Sequence, residues 1–234
     1  MEESMIEVRN LTKKYGQNTA VDSLSFSIEN GRIYGFLGPN GAGKSTTMNM
    51  ITGCLAPTSG EIIVDGTIGY LPEIPPLYME MTPLEYLTYV ARMKRISTGD
   101  ISGAVNHALQ ATNIENVRNR LISNLSKGYR QRVGISQAIL GDPDIIILDE
   151  PTVGLDPVQM VDIRKLILEL GKQHTVILST HILSEVAAVC SDIIMISAGK
   201  LVACDTTDHL LAQARSENVL DLESLFITLT GAVK

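Results

Sequence analysis

The nine residues GPNGAGKST, from Gly38 to Thr46, constrain the fold of this chain more than any other stretch. They follow RIYGFLG, a uniformly apolar segment typical of a buried strand, and they open a predicted helix near Lys44. Glycines at positions 38, 41 and 43 allow the backbone to turn tightly between the two elements. A strand that leads through such a turn into a helix indicates an α/β fold.

The spacing of this loop is that of a phosphate-binding loop: glycine, four residues, then glycine, lysine and serine. Because glycines have no Cβ, successive backbone N–H groups can point at phosphate oxygens, and the positive end of the helix adds to the attraction. Lys44 is predicted to reach the β- and γ-phosphates of ATP, and Ser45 to ligate Mg²⁺. The predicted loop residues are Gly38, Pro39, Asn40, Gly41, Ala42, Gly43, Lys44, Ser45 and Thr46.

Two adjacent carboxylates, Asp149 and Glu150, end a second apolar stretch, IIILDEP. Because like charges raise each other's pKa and resist burial, the pair requires a cation, a proton or a chemical task. A buried parallel strand places both at the carboxyl edge of the sheet, where open α/β sheets bind ligands. Asp149 is predicted to share Mg²⁺ with Ser45, and Glu150 to polarise a water for attack on the γ-phosphate.

The pattern along the chain predicts three regions of one domain. Residues 1–79 hold alternating strands, in MIEVRNL and VDSLSFSI, followed by the phosphate loop. Residues 80–140 hold helical patterns without a strand, and the first starts at Thr82 with a proline and with Glu85 three residues later. Residues 141–234 return to alternating strands and helices. We predict a P-loop NTPase core with a mostly parallel sheet, an N-terminal antiparallel β-subdomain and an inserted helical subdomain.

Composition and charge exclude several classes of protein. The 234 residues are 44% hydrophobic and 19% charged, which is typical of a globular chain. A net charge of −7 disfavours a nucleic-acid partner. Three widely spaced cysteines indicate reduced thiols in a cytosolic protein. The first residues lack the apolar core of a secretion signal, and no long apolar window predicts a membrane span, so a membrane role requires a partner.

The chain resembles the ATP-binding subunits of ABC transporters along essentially all of its length. LSKGYRQR is similar to the family's signature stretch, with matches at Ser126 and Gly128 and departures at Lys127 and Tyr129. Ser126 is predicted to cap a helix whose N-terminus receives an anion. The resemblance implies that this anion is the γ-phosphate bound by a second ATP-binding subunit, a copy or a close relative, in a head-to-tail dimer.

Further positions match the family in order along the chain. GLDP resembles the D-loop, which implies that Asp156 acts across the dimer. His181, after the segment TVILST, resembles the switch histidine that contacts the γ-phosphate and holds the attacking water. Tyr15 occupies the place of an aromatic residue that stacks on adenine. The implied catalytic residues are Glu150, His181 and Lys44.

Two departures distinguish this chain from the family pattern. Glu73, in GYLPEIPPLY, stands where the family usually has glutamine. A carboxylate adds a full charge, so we expect Glu73 to join Ser45 and Asp149 in sensing Mg²⁺, with an altered metal affinity. The family also carries extra residues after Gly66 that are missing here, and the short joint is expected to reduce an excursion at the edge of the sheet.

The signature stretch, Glu73 and the tail LDLESLFITLTG resemble those of exporters whose permease is a separate chain. The resemblance implies a Mg²⁺-dependent ATPase at the cytoplasmic face of the cell membrane, which drives export by closure of two subunits. A subunit of an importer and a superfamily ATPase not coupled to transport are the alternatives. A small-molecule kinase leaves LSKGYRQR unexplained, and a DNA-repair ATPase needs coiled-coil arms longer than the sequence between loop and signature allows.

Two segments outside the nucleotide motifs carry predictions about packing. The permease is expected to dock near the stretch from Glu73 to Thr82, which is rich in proline and methionine. Burial of the methionines in the helical region is the alternative. In the tail, apolar residues recur at helical spacing and predict the core packing of a last helix. They are Leu222, Leu225, Phe226 and Leu229.

Overall fold

The structure is a computed structural model, and it describes residues 4–216 and 225–226. The strands are β1 (Ser4–Tyr15), β2 (Asn18–Glu29), β3 (Ile33–Leu37), β4 (Ser59–Val64), β5 (Ile68–Leu71), β6 (Ile145–Asp149), β7 (Thr175–Thr180), β8 (Asp192–Ser197) and β9 (Lys200–Thr206). The α-helices are α1 (Lys44–Ile51), α2 (Pro83–Met93), α3 (Ile101–Ala111), α4 (Lys127–Ile139), α5 (Pro157–Leu170), α6 (Leu183–Val189) and α7 (Thr207–Ser216). Within the described ranges no helix combines the length and apolarity needed to cross a bilayer.

The strands form two sheets. The core sheet has the order β5-β6-β7-β3-β8-β9, and its neighbouring strands are parallel except for β8 and β9. The second sheet is antiparallel, in the order β2-β1-β4. The predicted α/β class, the mostly parallel core and the N-terminal antiparallel sheet are therefore confirmed.

Core strands are buried on both faces. In β6, Ile145 and Ile147 pack in the layer that contains the antiparallel sheet and α1. Ile146 and Leu148, which point the other way, pack against the helices of the opposite layer. All five residues of β6 are buried, which explains why its sequence is a continuous apolar run rather than an alternating one.

The predicted helix after Thr82 is present and begins as its sequence indicates. The Thr82 hydroxyl accepts a hydrogen bond from the Glu85 N–H at 3.2 Å, and the Glu85 carboxylate accepts one from the Thr82 N–H at 2.9 Å. This reciprocal cap satisfies two backbone donors that a helix start otherwise leaves unpaired. No strand lies between β5 and β6, so the expectation of a helical region is confirmed for these fully described residues.

Helix α4 joins the helical region to the core sheet. A Cβ on Gly69 of β5 would lie 2.1 Å from the Ala138 carbonyl oxygen, so the C-terminal end of α4 packs directly on that strand. One hydrophobic cluster extends from Leu87 of α2 through Val133 of α4 to Ile146 of β6. The boundary predicted at residue 140 therefore falls within continuous packing, and the three-region division stays a prediction.

The short joint after Gly66 leads directly from β4 in one sheet to β5 in the other. It holds no helix, and it is fastened to the start of β6. Asp144 accepts hydrogen bonds from the Thr67 N–H at 2.7 Å and from the Thr67 hydroxyl at 2.8 Å. The sequence pattern does not identify β4 or β5, because both are short and pair with strands that are distant along the chain.

The predicted apolar stripe in the tail lies only partly in the described residues. Leu222 and Leu229 lie outside them. Leu225 is fully buried and Phe226 is partly buried, and both pack with the helical-side core. Core packing is therefore confirmed for these two positions.

Candidate functional site

Strand order brings the candidate residues to one edge of the core sheet. Strands β5, β6, β7 and β3 are successive neighbours and run in parallel, so their carboxyl ends lie side by side. Glu73 follows β5, Glu150 follows β6, and His181 follows β7. The phosphate loop follows β3 and leads into α1. Four segments that are far apart in sequence thus meet where α/β sheets bind ligands.

A cleft of about 550 Å³ opens at this edge. Most of the residues predicted to bind nucleotide line it: Tyr15, Asn40, Gly41, Gly43, Lys44, Ser45, Thr46, Glu73, Glu150 and His181. Gly38, Pro39 and Ala42 belong to the same loop without lining the cleft. Asn18, Ala20 and Val153, which the sequence did not single out, complete the lining.

The loop requires glycine at its junction with α1. Gly43 has φ +103°, a conformation that L side chains rarely adopt, and a Cβ there would lie 2.5 Å from the Ala20 carbonyl oxygen. Two independent constraints, backbone angle and space, therefore exclude other residues at this position. The predicted start of α1 at Lys44 is confirmed.

Lys44 holds the loop and one of the two carboxylates together. Its Nζ donates hydrogen bonds to the carbonyl oxygens of Gly38, at 2.9 Å, and Pro39, at 3.3 Å. The same Nζ lies 3.3 Å from Glu150 Oε1, and both side chains are almost entirely buried. A buried ammonium beside a buried carboxylate offsets its charge, which explains in part how Glu150 is tolerated here.

His181 is the second partner of Glu150. Its Nδ1 lies 3.0 Å from both carboxylate oxygens, within hydrogen-bond distance of each. The imidazole is 39% exposed whereas the Glu150 side chain is 7% exposed, so the histidine lies at the mouth and the carboxylate at the floor. Two of the three predicted catalytic residues, Lys44 and His181, therefore contact the third, Glu150.

The backbone of Glu150 leaves the strand in a strained conformation. Its φ is +49°, which is uncommon for a residue with a side chain. The Glu150 N–H donates to the Ser179 carbonyl oxygen at 2.8 Å and so extends the pairing of β6 with β7 by one residue. This combination of strain and anchoring turns the carboxylate out of the strand direction and towards the cleft.

Asp149 is buried immediately beneath the cleft. Burial raises the pKa of its carboxyl, and the Glu150 carboxylate raises this pKa further, while the hydroxyls of Ser179 and Ser45 lower it. The Oδ1 atom of Asp149 has no hydrogen-bond partner among the described residues. A buried carboxylate oxygen without a donor is costly unless a cation binds it.

The donor set around Asp149 fits Mg²⁺. Among the described residues no group of three or more His, Cys, Asp or Glu side chains is arranged to hold a metal alone. Magnesium ions at nucleotide sites usually take only one or two protein oxygens and complete their shell with phosphates and water. One orphaned carboxylate oxygen with a neighbouring hydroxyl suits that pattern better than a dedicated metal site.

Two further predicted residues lie at the rim of the cleft. Tyr15, at the end of β1, is 51% exposed, and the Lys13 ammonium lies 5.3 Å from its ring centroid. An aromatic ring with this exposure has area available for stacking. Glu73 is exposed beside the cleft, and its carboxylate contributes to the raised pKa of Asp149.

The remaining three predicted residues lie away from this cleft. Ser126 and Gly128 line a separate cavity of about 420 Å³, next to Gln159 of α5. The Ser126 hydroxyl accepts from the Tyr129 N–H at 3.4 Å, which confirms the predicted cap of α4. Asp156 caps α5 and accepts from the N–H groups of residues 158 and 159, at 3.0 and 2.9 Å. Within one chain these residues do not join the phosphate loop.

One buried carboxylate near the site is absent from the predictions. Glu185 is 1% exposed and bonds to Thr152 and Thr180, which flank the loops of Glu150 and His181. A sequence signal for it existed: Glu185 falls four residues after His181, on the same buried helix face as Val189. An acid on such a face is a candidate for a hydrogen-bonding role.

Comparison with known proteins adds independent information. The family model described as ABC transporter matches residues 21–153. The bacitracin transport ATP-binding protein BcrA of Bacillus licheniformis is 37% identical over 226 residues, which cover 91% of this chain and 73% of that protein. The Nod factor export ATP-binding protein I of Rhizobium meliloti (strain 1021) is 35% identical over 233 residues, which cover 92% of this chain and 66% of that protein.

A solved structure shows the same fold. It is described as the dimeric, post-hydrolysis state of an ATP-binding cassette bound to ADP and phosphate. Its TM-score to this chain is 0.77, its sequence is 26% identical, and the match covers 86% of this chain and 98% of the other.

Proposed function

The chain belongs to the ABC transporter family, and we propose that it is the ATP-hydrolysing subunit that drives export through a separate membrane permease. The name of one relative, for bacitracin transport, supports a transport role, and the name of the other, for Nod factor export, supports export over import. The arrangement of Glu150 between Lys44 and His181 carries the proposal of hydrolysis. It places the proposed base, Glu150, in one cleft with the proposed phosphate ligand, Lys44, and with His181.

Each residue of the cleft has a role that its position supports. Lys44 binds the β- and γ-phosphates of ATP, since its ammonium lies at the floor of the phosphate loop. Glu150 orients and polarises the attacking water, and His181 holds that water against the γ-phosphate. Tyr15 stacks on the adenine from the exposed rim. When bound, Mg²⁺ neutralises charge on the phosphate oxygens, and Ser45, Asp149 and Glu73 are the residues that would hold or sense it.

A second subunit completes the site in this proposal. Ser126 and Gly128 line a cavity that shares no residue with the phosphate-loop cleft, so another chain must supply the signature helix to the bound ATP. The start of α4 presents backbone N–H groups that suit the γ-phosphate. Asp156 lies at the start of α5, where it would act across the interface. The dimeric, ADP-bound relative supports this arrangement.

The surface around residues 74–79 is the proposed contact with the permease. Ile74 is 84% exposed, and Tyr78 and Met79 are also exposed. Met81 instead packs against the core. Permease docking is therefore proposed for Met79, and burial in the helical region applies to Met81. This surface lies between Glu73, which follows β5, and α2 of the helical region. Movement of the helical region during closure would therefore reach the permease directly.

Glu73→Gln tests the proposed role of this residue in sensing Mg²⁺. The substitution removes one negative charge close to Asp149, so we expect the Mg²⁺ concentration at half-maximal ATPase activity to rise severalfold. ATPase rates measured over a Mg²⁺ titration check this expectation. Glu80→Gln, an exposed neighbour outside the cleft, is the control. Identical titration curves for Glu73→Gln and the parent would leave Glu73 without a role at the metal.

Co-purification with a permease tests the transport role. A tagged chain should capture a polytopic membrane protein from detergent-solubilised membranes, and co-reconstitution in liposomes should change the ATPase rate of the chain. Capture of the membrane protein should weaken when Ile74 and Tyr78 are both replaced by serine. An ATPase rate that is the same with and without every co-purified membrane protein would favour an ATPase not coupled to transport.

A further inference from the structure

Glu185 is a buried carboxylate whose hydrogen bonds join two separate loops of the site. It lies in the first turn of α6 and is 1% exposed. One oxygen accepts a hydrogen bond from the Thr152 hydroxyl, and the other accepts one from the Thr180 hydroxyl at 3.1 Å. In the described part of the chain no lysine, arginine or histidine forms an ion pair with it.

The two threonines lie next to the proposed catalytic side chains. Thr152 follows Glu150 by two residues, and Thr180 immediately precedes His181. Thr180 Oγ1 also accepts a hydrogen bond from the Ile182 N–H at 3.1 Å, and this bond links the residues immediately before and after His181. Glu185 is therefore bonded to both loops, while Glu150 and His181 contact each other directly.

Both threonine hydroxyls donate to the carboxyl oxygens of Glu185. The lone pairs of Thr180 Oγ1 then remain available to the Ile182 N–H. One side chain therefore joins the two loops through two hydrogen bonds.

Packing alone does not explain an acid at this position. The neighbours Val186 and Val189 on the same helix are buried and apolar, and an apolar side chain at 185 would fill the space without a desolvation cost. Burial of a carboxyl group costs free energy, and the threonines that it bonds lie beside the residues of the proposed reaction.

We propose that Glu185 is a positioning residue that fixes Glu150 and His181 relative to each other through Thr152 and Thr180. This role rests on the proposed function. It concerns the hydrolytic step and not nucleotide affinity, because Glu185 bonds to Thr152 and Thr180 and does not line the phosphate-loop cleft. A misplacement of about 1 Å at catalytic groups can lower a rate by about 100-fold.

Steady-state ATPase kinetics of Glu185→Gln and Glu185→Ala test the proposal. We expect kcat to fall about tenfold for Glu185→Gln, whose NH₂ group reverses one bond, and about 100-fold for Glu185→Ala. The KM for ATP should stay within about twofold of the parent, since ATP binding is not affected. A loss of folded protein would also lower the apparent kcat at constant KM, so kcat is calculated per active site, with the number of active sites measured by titration with ATP.

Substitutions of Thr152 give a second test that leaves the buried carboxylate in place. Thr152→Val conserves shape and removes the donor, so its kcat should fall as in Glu185→Gln. Thr152→Ser keeps the hydroxyl and should retain most of the parent rate. The double variant Thr152→Val with Glu185→Gln should lose little more than the worse single variant, because both disrupt the same bond.

Asp192→Asn is the matched control. Asp192 is also a buried carboxylate, paired with Arg32 at 3.1 Å and with the Ser191 hydroxyl at 2.7 Å, and it lies outside the cleft. Its substitution should lower stability and leave kcat and KM unchanged. Parent-like kcat in Glu185→Gln and Thr152→Val, in a protein that hydrolyses ATP, would overturn the positioning role alone. A parent protein that does not hydrolyse ATP would overturn the proposed function and this role with it.

Discussion

Glu150→Gln is expected to lower the rate of ATP hydrolysis by about 100-fold or more, because general-base assistance contributes at least this factor. The glutamine keeps the shape of the side chain but cannot take a proton from the attacking water. ATP should still bind, since Lys44 and the phosphate loop are intact. With ATP bound and not hydrolysed, two subunits should stay closed together and elute as a dimer on a sizing column.

Single-turnover hydrolysis and size-exclusion chromatography with Mg²⁺ and ATP measure these two effects. Glu115→Gln removes an exposed carboxylate far from the cleft and should behave like the parent in both. Hydrolysis by Glu150→Gln at the parent rate would contradict the assignment of the base. The contacts of Glu150 with Lys44 and His181 would then have a structural role and no role in catalysis.

Lys44→Ala is expected to weaken ATP binding by about 100-fold or more. Each charge-assisted hydrogen bond to a phosphate contributes about 1.5–3 kcal/mol, and Lys44 is predicted to make at least two. The substitution also leaves the buried Glu150 without its ammonium partner, at 3.3 Å in the structure, so negative charge faces the incoming phosphates. Both effects act in the same direction.

Equilibrium dialysis with labelled ATP quantifies the change. Lys172→Ala is the control, because Lys172 is exposed in the turn after α5 and pairs only with Glu169 among the described residues. Lys44→Ala that binds ATP as tightly as the parent would remove the phosphate role of the loop lysine. Together with Glu150→Gln, this variant separates the loss of binding from the loss of hydrolysis.

Local sequence signals predict the elements that depend on neighbouring residues. The starts of α1 at Lys44 and of α2 at Pro83 follow from a glycine-rich turn and from a Thr82 cap, and the structure has both. The buried strand β6 follows from its unbroken apolar run. Each of these signals lies within ten residues of the feature that it predicts, so no knowledge of tertiary contacts is needed.

Contacts between distant segments are not available from the sequence in the same way. Lys94 donates to the carbonyl oxygens of Gln137, Ala138 and Leu140 at the end of α4, more than forty residues away. The β4 strand is recognisable only once β1 lies beside it. The same limit applies to Glu150, because its pairing with Lys44 depends on β6 and β3 being separated by β7 alone.

Calorimetric titration of the unmodified protein with ATP and Mg²⁺ is the most direct test of the central claim, which is that the phosphate loop and Asp149 together hold a nucleotide with its metal. The account predicts saturable heat with one site per chain, and weaker binding when Mg²⁺ is chelated. No heat with any purine triphosphate, at protein concentrations that reveal weak association, would contradict it.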